Sequence, residues 1–443
     1  MKRLSNAQVI AFGFLLLILT GTALLCLPAA TRSGEPAQLS DALFTATSAT
    51  CVTGLVVQDT ALYWSVFGQA IILTLIQIGG LGFMTIATLL LLLLRQRIGI
   101  RNRERMIESI STADTGSILP LTKKIVIGTA AVEGLGAVCL AIRFIPMFGA
   151  AKGIWYSVFH AVSGFCNAGF DLMGPISGPY SSFTAFADDP LINLTLMALI
   201  TIGGLGYWVW EDLWKNTFHV RRWRLQTKLV MSITLLLTIG ATALFWLLER
   251  RALAAYPIRE QILRALFDAV TPRTAGFNTS DISTLTDGSK LLTTVLMFVG
   301  GSSGSTAGGI KTTTLAVLVL YAITGMTRRR DTYIFGRRIH ANALHRATAV
   351  ATNNLSLALT ATLALCLLHP SLSLPDLLLE CFSAVGTVGM STGITRSIHL
   401  IGQCLLMFLM YCGRVGSLSF SIALLERRSN PPVTHPVEDI IVG

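Results

Sequence analysis

Residues 262–277 read ILRALFDAVTPRTAGF, a short amphipathic stretch that ends in a turn containing one glycine. Three other stretches follow the same plan: LSDALFTATSATCVTGL at 39–55, IWYSVFHAVSGFCNAGF at 154–170 and DLLLECFSAVGTVGM at 376–390. Each offers about 10–12 helical residues, whereas a bilayer span needs roughly 20, so each is typical of a re-entrant segment. The glycines of these turns occupy equivalent positions: Gly54, Gly169, Gly276 and Gly389. One unit therefore recurs four times along the chain.

Long apolar segments lie on both sides of each short stretch. The predicted first spans are about 9–28, 124–146, 228–249 and 349–368, and the predicted second spans are about 66–94, 190–212, 291–325 and 398–425. Because the same order of segments recurs four times, the repeat takes precedence over local patterns in predicting the fold. We therefore predict an all-α polytopic membrane protein with four tandem M1–P–M2 repeats (helix, pore loop, helix) in pseudo-four-fold symmetry around a central pore. The predicted boundaries are 1–105, 106–222, 223–340 and 341–428, with a C-terminal cytoplasmic tail at 429–443.

Composition and charge pattern also indicate a membrane protein. Of 443 residues, 52% are hydrophobic and only 13% are charged, about half the charged fraction of a soluble domain. The net charge is +11, and the basic clusters at 2–3, 95–105, 221–224, 328–346 and 427–428 flank the apolar segments. The positive-inside rule places these clusters, with both termini, on the cytoplasmic side of the cell inner membrane. Nucleic-acid binding is disfavoured because the clusters bracket hydrophobic spans.

The glycine turns have the features of a cation site. A short helix that stops at membrane depth aims the partial negative charge of its C-terminus, about half an electron, at the centre of the membrane. Non-helical backbone at that depth must be buried or line a water-filled cavity. Its carbonyl oxygens can replace the hydration shell of an ion. Glycine permits the positive φ that other residues resist.

The four repeats together resemble the Trk/Ktr/HKT superfamily of cation transporters. The motifs most similar to that family are RTAGF at 273–277, NAGF at 167–170 and GTVGMS at 386–391. The resemblance covers nearly the whole chain. With eight predicted spans, the chain is more similar to the Ktr-type potassium uptake membrane subunit than to the longer Trk subunits.

The resemblance implies an activity, partners and site residues. It implies K⁺ uptake, with Na⁺ as a second ion and no covalent cofactor, by a homodimer in membrane lipid that binds a cytosolic ring of nucleotide-binding, RCK-type regulatory subunits. K⁺ would bind backbone carbonyls of a filter formed by these residues: Val52, Thr53, Gly54, Asn167, Ala168, Gly169, Thr274, Ala275, Gly276, Thr387, Val388 and Gly389. None of the turns contains a complete TVGYG motif, which predicts looser discrimination than in a dedicated potassium channel.

The second span of the third repeat is interrupted by a glycine-rich run: Gly300, Gly301, Ser302, Ser303, Gly304, Ser305, Thr306, Ala307, Gly308 and Gly309. Glycine in a helix costs about 1 kcal/mol relative to Ala, so we predict unwound backbone here. The resemblance implies that this run and the following Lys311 form an intramembrane gate below the filter. The alternative is a helix-crossing site that uses small residues. The runs at 78–82 and 202–206 are predicted to mark close packing of second spans.

Several ionisable residues lie at membrane depth. Arg414, near the middle of the last span, is expected to face the bundle interior. The resemblance implies an electrostatic barrier there, and a structural salt bridge is the alternative. Glu133 could pair with a cation or with a backbone donor. Asp171, just after the second glycine turn, either attracts cations or is an ordinary solvated residue. Three further groups are expected to be structural: His160, Asp268 and Glu380.

Three other function classes were weighed, and one of them, a purely structural or receptor subunit, would not need the four glycine turns. An ion-coupled symporter with alternating access also uses discontinuous helices, but its inverted repeats would not place every repeat boundary beside basic residues. An enzyme is disfavoured because the sequence has no convincing HExxH, GxSxG or Walker motif. The run Gly308-Gly309-Ile310-Lys311-Thr312 lacks GxxxxGK[ST] spacing, and the cysteines and histidines form no metal-site pattern.

Overall fold

A computed structural model describes residues 6–82, 118–217, 219–327 and 331–416. Its long helices fall into four groups. The first is α1 (Asn6–Leu25), α2 (Leu39–Cys51) and α3 (Val66–Leu81), and the second is α4 (Ile118–Phe148), α5 (Ala150–Phe165), α6 (Pro190–Leu205) and α7 (Tyr207–Asn216). The third is α8 (Leu225–Leu248), α9 (Ile258–Val270), α10 (Asp287–Phe298) and α11 (Thr312–Met326), and the fourth is α12 (Ala341–Leu368), α13 (Leu374–Gly386) and α14 (Leu400–Val415).

Short elements connect the long helices. Helical turns lie at Thr60–Tyr63, Gly174–Ser177 and Arg250–Leu253, and 3₁₀ turns lie at Pro28–Ala30, Thr184–Phe186, Val220–Arg222, Ile282–Thr284 and Ile394–Arg396. A small hairpin between α11 and α12 pairs β1 (Tyr333–Ile334) antiparallel with β2 (Arg337–Arg338). The predicted tail at 429–443 lies outside the described residues.

Among the described residues, four helices are long and apolar enough to cross a membrane, namely α1, α4, α8 and α12. They coincide with the four predicted first spans, which are thereby confirmed. Apolar side chains such as Leu235, Leu236 and Ile239 of α8 are exposed on the protein surface. Such an apolar exterior is stable in lipid, where only the backbone needs internal hydrogen bonds.

Three of the second-span helices begin at side-chain caps, and three end at glycines. Ser65, Asp189 and Thr286 accept hydrogen bonds from backbone N–H groups at the starts of α3, α6 and α10, as N-cap residues do. The helices α3, α6 and α14 end at glycines with φ of 86°, 93° and 93°: Gly82, Gly206 and Gly416. The second span predicted at 190–212 is therefore bent at Gly206. A positive φ cannot continue a right-handed helix, and α6 and α7 meet at an angle of 96°.

The interruption predicted in the third repeat is present, since the backbone between α10 and α11 is not helical. In the first and fourth repeats, the predicted second spans continue past the last described residues, 82 and 416. Only their first halves, α3 and α14, can be compared with the prediction.

The short helices α2, α5, α9 and α13 contain 13, 16, 13 and 13 residues. Each packs against the first span of its own repeat and also against the second span of the preceding repeat. The second contacts pair α2 with α14, α5 with α3, α9 with α6 and α13 with α10. Because the first repeat contacts the fourth in the same way, the repeats form a closed ring. The predicted four-repeat architecture is confirmed.

Glycines allow the second spans to approach the C-terminal ends of the short helices. A Cβ on Gly79 would overlap the Thr50 carbonyl oxygen, and a Cβ on Gly203 would overlap that of Phe165. These contacts confirm the close packing predicted for both glycine runs. Gly413 makes the same contact with the Val385 carbonyl, although the sequence reasoning did not single it out.

Candidate functional site

The four glycine turns meet in a closed ring. A Cβ on Gly169 would lie 2.7 Å from the Ala275 carbonyl oxygen of the third repeat. The other three glycines have equivalent contacts too close for any Cβ: Gly54 with the Ala168 carbonyl, Gly276 with that of Val388, and Gly389 with that of Thr53. Each glycine thus abuts the carbonyl that precedes the glycine of the next repeat. These contacts bring together eight of the twelve predicted filter residues, namely each glycine and the residue before it.

The backbone of each turn alternates in handedness. The four glycines have φ between 70° and 92°, as the sequence predicted. The residues two positions earlier are also left-handed although they carry side chains, with φ of 57°, 59°, 80° and 50°: Val52, Asn167, Thr274 and Thr387. Successive N–H groups of backbone that alternates between right- and left-handed conformations point to one side. The carbonyls of such a segment then point to the other side.

A hydroxyl near the end of each short helix supports the turn that follows it. The Ser48 hydroxyl accepts a hydrogen bond from Gly54 N (3.1 Å), and Ser383 accepts one from Gly389 N (3.0 Å). Ser163 donates to the Phe170 carbonyl (2.7 Å), and Thr271 donates to that of Phe277 (2.6 Å). The sequence reasoning missed these four residues. A serine or threonine five or six positions before each glycine is the signal that would have identified them.

We expect Ser383→Ala to destabilise the fourth turn, because the half-buried Gly389 N–H would lose the hydroxyl that accepts its hydrogen bond. A typical hydrogen bond contributes about 0.5–1.5 kcal/mol to stability, so the melting temperature of the purified protein should fall. Ser397→Ala is a matched control, since the Ser397 hydroxyl is exposed and bonds to the nearby Ile394 carbonyl. Equal melting temperatures for the two variants would contradict the supporting role of Ser383.

Buried polar groups also join three short helices to the segments that leave the turns. His160, which is fully buried, bonds through Nδ1 to the Tyr156 carbonyl (2.7 Å) and through Nε2 to Leu172 N (3.0 Å). Glu380 accepts hydrogen bonds from the hydroxyls of Ser391 and Thr395. Asp268 accepts one from Ser280 (3.3 Å). These contacts agree with the structural roles expected for the three groups.

A vestibule of about 730 Å³ opens above the ring, on the side toward which the chain leaves each turn. All four glycines line it. It is also lined by five carboxylates and two guanidinium groups: Asp59, Asp171, Glu249, Asp268 and Asp281, with Arg264 and Arg396. The excess of carboxylates favours cations at this mouth. Asp171, for which the sequence left two readings open, is part of this lining.

The glycine-rich loop at 300–309 lies on the opposite side of the ring. Its backbone bonds to the end of α6, with Ser302 N donating to the Gly204 carbonyl (2.8 Å). The Thr306 hydroxyl donates to the Phe165 carbonyl at the end of α5 (3.1 Å). A Cβ on Gly308 would overlap the Thr387 hydroxyl. The loop therefore contacts the second and fourth repeats directly beside their glycine turns.

Two cationic side chains bind three consecutive carbonyls of this loop. Arg414 donates to the Thr306 carbonyl and also to those of Gly79 and Gly80 at the end of α3. Lys311 Nζ donates to the Ala307 carbonyl (2.6 Å) and lies 3.4 Å from that of Gly308. Within the described residues, no carboxylate forms a salt bridge with Arg414. The described partners of Arg414 are backbone carbonyls, as expected for a side chain that faces the bundle interior.

Glu133 has partners that the sequence did not predict. Its carboxylate accepts a hydrogen bond from Gln77 Nε2 (3.2 Å) and contacts Cys166 Sγ (3.8 Å). Neither a cation nor a backbone donor is among these contacts. The buried Glu133 therefore joins α4, α3 and the residue after α5 behind the second turn.

Comparison with known proteins agrees with this geometry. The model of the TrkH family, described as a cation transport protein, matches residues 6–430. The chain is 41% identical over 450 residues to the potassium/sodium uptake protein NtpJ of Enterococcus hirae, covering 100% of this chain and 98% of the relative. It is 36% identical over 444 residues to the Ktr system potassium uptake protein B of Bacillus subtilis, covering 100% and 97%.

A solved structure shows the same fold. The potassium transporter TrkH from Vibrio parahaemolyticus matches with a TM-score of 0.75 at 16% identity, covering 95% of this chain and 84% of that chain. The matching family consists of cation transporters and not of enzymes, and the apolar spans make this chain a multi-pass membrane protein. The chain belongs to the TrkH family of cation transport proteins.

Proposed function

We propose that this chain takes up K⁺ through the ring of four turns, which acts as a selectivity filter. The observation that carries the proposal is the closed ring of glycines, in which each turn alternates in backbone handedness. Carbonyls that point to one side of such turns face the common axis and replace the water around a dehydrated cation. The relatives named for potassium or sodium uptake support K⁺, with Na⁺ as a second ion.

The electrostatics on both sides of the ring support the same proposal. The carboxylate-rich vestibule concentrates cations at one mouth. The C-terminal ends of the short helices add partial negative charge at the ring. We place the vestibule outside the cell, which puts the basic repeat boundaries and both termini on the cytoplasmic side of the inner membrane.

The loop at 300–309, with Lys311 and Arg414, is the proposed gate. A permeating cation must pass two fixed positive charges that hold the carbonyls of Thr306, Ala307 and Gly308. Conduction then requires the loop to move and at least one of these contacts to break. We further propose a homodimer that binds an RCK-type, nucleotide-binding ring on the cytoplasmic side, in keeping with relatives named as parts of Ktr potassium uptake systems.

Radioactive rubidium flux into proteoliposomes containing the chain alone tests the proposal. We expect uptake driven by an outward K⁺ gradient and competed more strongly by K⁺ than by Na⁺ or Li⁺. Competition of equal strength by all three ions would contradict a potassium filter. If uptake appears only after a cytosolic ring subunit is added, the same competition is measured in that complex.

Ion-coupled symport with alternating access is the second candidate. The bend at Gly206 and the unwound loop between α10 and α11 favour it, because discontinuous helices mark the binding sites of such transporters. A fixed stoichiometry between K⁺ and Na⁺ or H⁺ would support the symporter. Uptake that follows the electrochemical gradient of K⁺ alone would support the filtered pathway.

A further inference from the structure

The segment 178–183 of the second repeat reaches the other three repeats above the ring, and we call it the strap. Tyr180 N donates to Asp59 Oδ2 (2.9 Å), and the Tyr180 hydroxyl donates to the Val57 carbonyl (3.2 Å), both in the first repeat. Phe183 N donates to the Asn278 carbonyl of the third repeat (2.9 Å). Arg396 of the fourth repeat stacks on Tyr180, with its Cζ 3.9 Å from the ring centroid.

Buried contacts anchor one end of the strap. Phe183 is fully buried, with its ring centroid 5.0 Å from that of His160 and 5.5 Å from that of Phe277. His160 belongs to the second short helix, and Phe277 directly follows the third glycine. The strap is thus fixed to the second and third repeats through packing, whereas its described link to the fourth repeat is the stack of Arg396 on Tyr180.

The strap is held in an unfavourable backbone conformation. Tyr180 and Ser182 have φ of 62° and 46° although both carry side chains, and Gly178, the first residue of the strap, has φ of 95°. Residues other than glycine adopt a left-handed backbone conformation only when surrounding contacts hold them in it. The contacts to Asp59, Val57, Asn278 and Arg396 are the ones that do so here.

The strap contacts segments that continue from the filter. Val57 lies three residues after Gly54, and Asn278 lies two residues after Gly276. Arg396 lies in the short helical turn that follows the fourth filter segment. Selectivity in a carbonyl ring depends on how far the ring can relax around a smaller ion. Contacts that connect the outer ends of the four segments limit that relaxation.

We propose that the strap holds the outer ends of the filter segments in register, and that Tyr180 and Arg396 are positioning residues for the discrimination between K⁺ and Na⁺. The proposal rests on the proposed filter function. Neither side chain need touch the ion. Their stack connects the second and fourth repeats on the vestibule side of the filter.

The test is a double-mutant cycle of Tyr180→Leu and Arg396→Gln. Each single variant should lower the preference for K⁺ over Na⁺ in rubidium competition by about two- to fivefold. This factor corresponds to the free energy of one exposed cation–π contact. The double variant should lose no more than either single variant, because both changes remove the same contact. Arg396 is exposed, so Arg396→Gln still provides the test if Tyr180→Leu does not fold.

The vestibule offers a matched control pair. Arg264 stacks on Tyr256, with its Cζ 4.1 Å from the ring centroid, but both residues belong to the third repeat. Tyr256→Leu therefore removes a similar contact from the same vestibule without breaking a contact between two repeats. It should leave the preference for K⁺ over Na⁺ unchanged. An equal loss in Tyr256→Leu, or no loss in Arg396→Gln, would overturn the proposal.

A second readout separates this inference from the proposed function. Ions that bind the native ring raise the melting temperature in a concentration-dependent way, so K⁺ and Na⁺ titrations of melting report binding without flux. If K⁺ stabilises the wild-type protein better than Na⁺ does, and Arg396→Gln shows the same difference, the role proposed for the strap is contradicted. The filter assignment would still stand. Wild-type protein stabilised equally by both ions would contradict the proposed filter and the strap's role in discrimination together.

Discussion

Gly276→Ser is expected to reduce the preference for K⁺ over Na⁺ by about tenfold or more. Gly276 has a φ of 81°, in which a side chain is strained by roughly 1–2 kcal/mol. Its Cβ would overlap the Val388 carbonyl oxygen and lie 3.2 Å from Gly169 Cα and 3.3 Å from Gly389 Cα. Three of the four turns would have to shift, and about 1.4 kcal/mol of lost discrimination is a factor of ten.

The measurement is rubidium uptake in competition with K⁺ and with Na⁺. Gly240→Ser is the matched control, because Gly240 lies in α8 of the same repeat, has no positive φ, and has open space at its Cβ position. The control should keep the wild-type preference. Since Gly54 and Gly389 make the same contact in the ring, their serine variants should resemble Gly276→Ser. Wild-type preference in all three variants would refute the filter assignment.

The sequence predicted the parts of the site that local chemistry dictates. The four short helices and the left-handed glycines follow from segment length and from the φ that each turn requires, and both are present. A single glycine such as Gly54 does not predict a filter, because isolated glycines are common in loops. Four glycines at equivalent positions in four repeats do predict one. The hydroxyls at Ser48 and Ser383 were also readable from the same alignment of repeats.

The remaining features depend on tertiary contacts that no local pattern contains. The runs that end at Gly82 and Gly206 are similar in sequence. Nothing in the run that ends at Gly206 predicts the 96° bend between α6 and α7. The bend is fixed by the loop of another repeat, because Tyr207 N donates to the Gly304 carbonyl (2.9 Å). Likewise, the partners of Glu133 are side chains 56 and 33 residues away in sequence. The strap joins segments from all four repeats.

Arg414 occupies a position where two other repeats have glycine, and this substitution breaks the four-fold symmetry below the ring. Gly80 and Gly204 follow the glycines that contact the short helices, as Arg414 follows Gly413. The guanidinium of Arg414 extends to the end of α3, where backbone carbonyls carry partial negative charge. It also holds the Thr306 carbonyl of the loop. One residue therefore connects the fourth repeat to the first and third.

Arg414→Ala is expected to raise K⁺ flux by about tenfold or more in the same proteoliposomes. The substitution removes a fixed positive charge from the pathway and releases the loop from the fourth repeat. A hydrogen bond to a charged group contributes about 1.5–3 kcal/mol, so the loss of the Thr306 contact alone can raise the fraction of open loops tenfold. Lys311 still holds the next two carbonyls, so Lys311→Met combined with Arg414→Ala should raise flux further.

Arg143→Ala serves as the control, because the half-exposed Arg143 pairs with Asp189 at the protein surface, away from the loop. It should leave flux unchanged. Shortening the loop within 300–309 removes the barrier by another route, so it should raise flux in a chain that keeps Arg414. If the shortened chain conducts faster but Arg414→Ala does not, the loop alone is the barrier. Unaltered flux in both folded variants would show that neither element limits conduction, and the barrier would then have to lie in the filter.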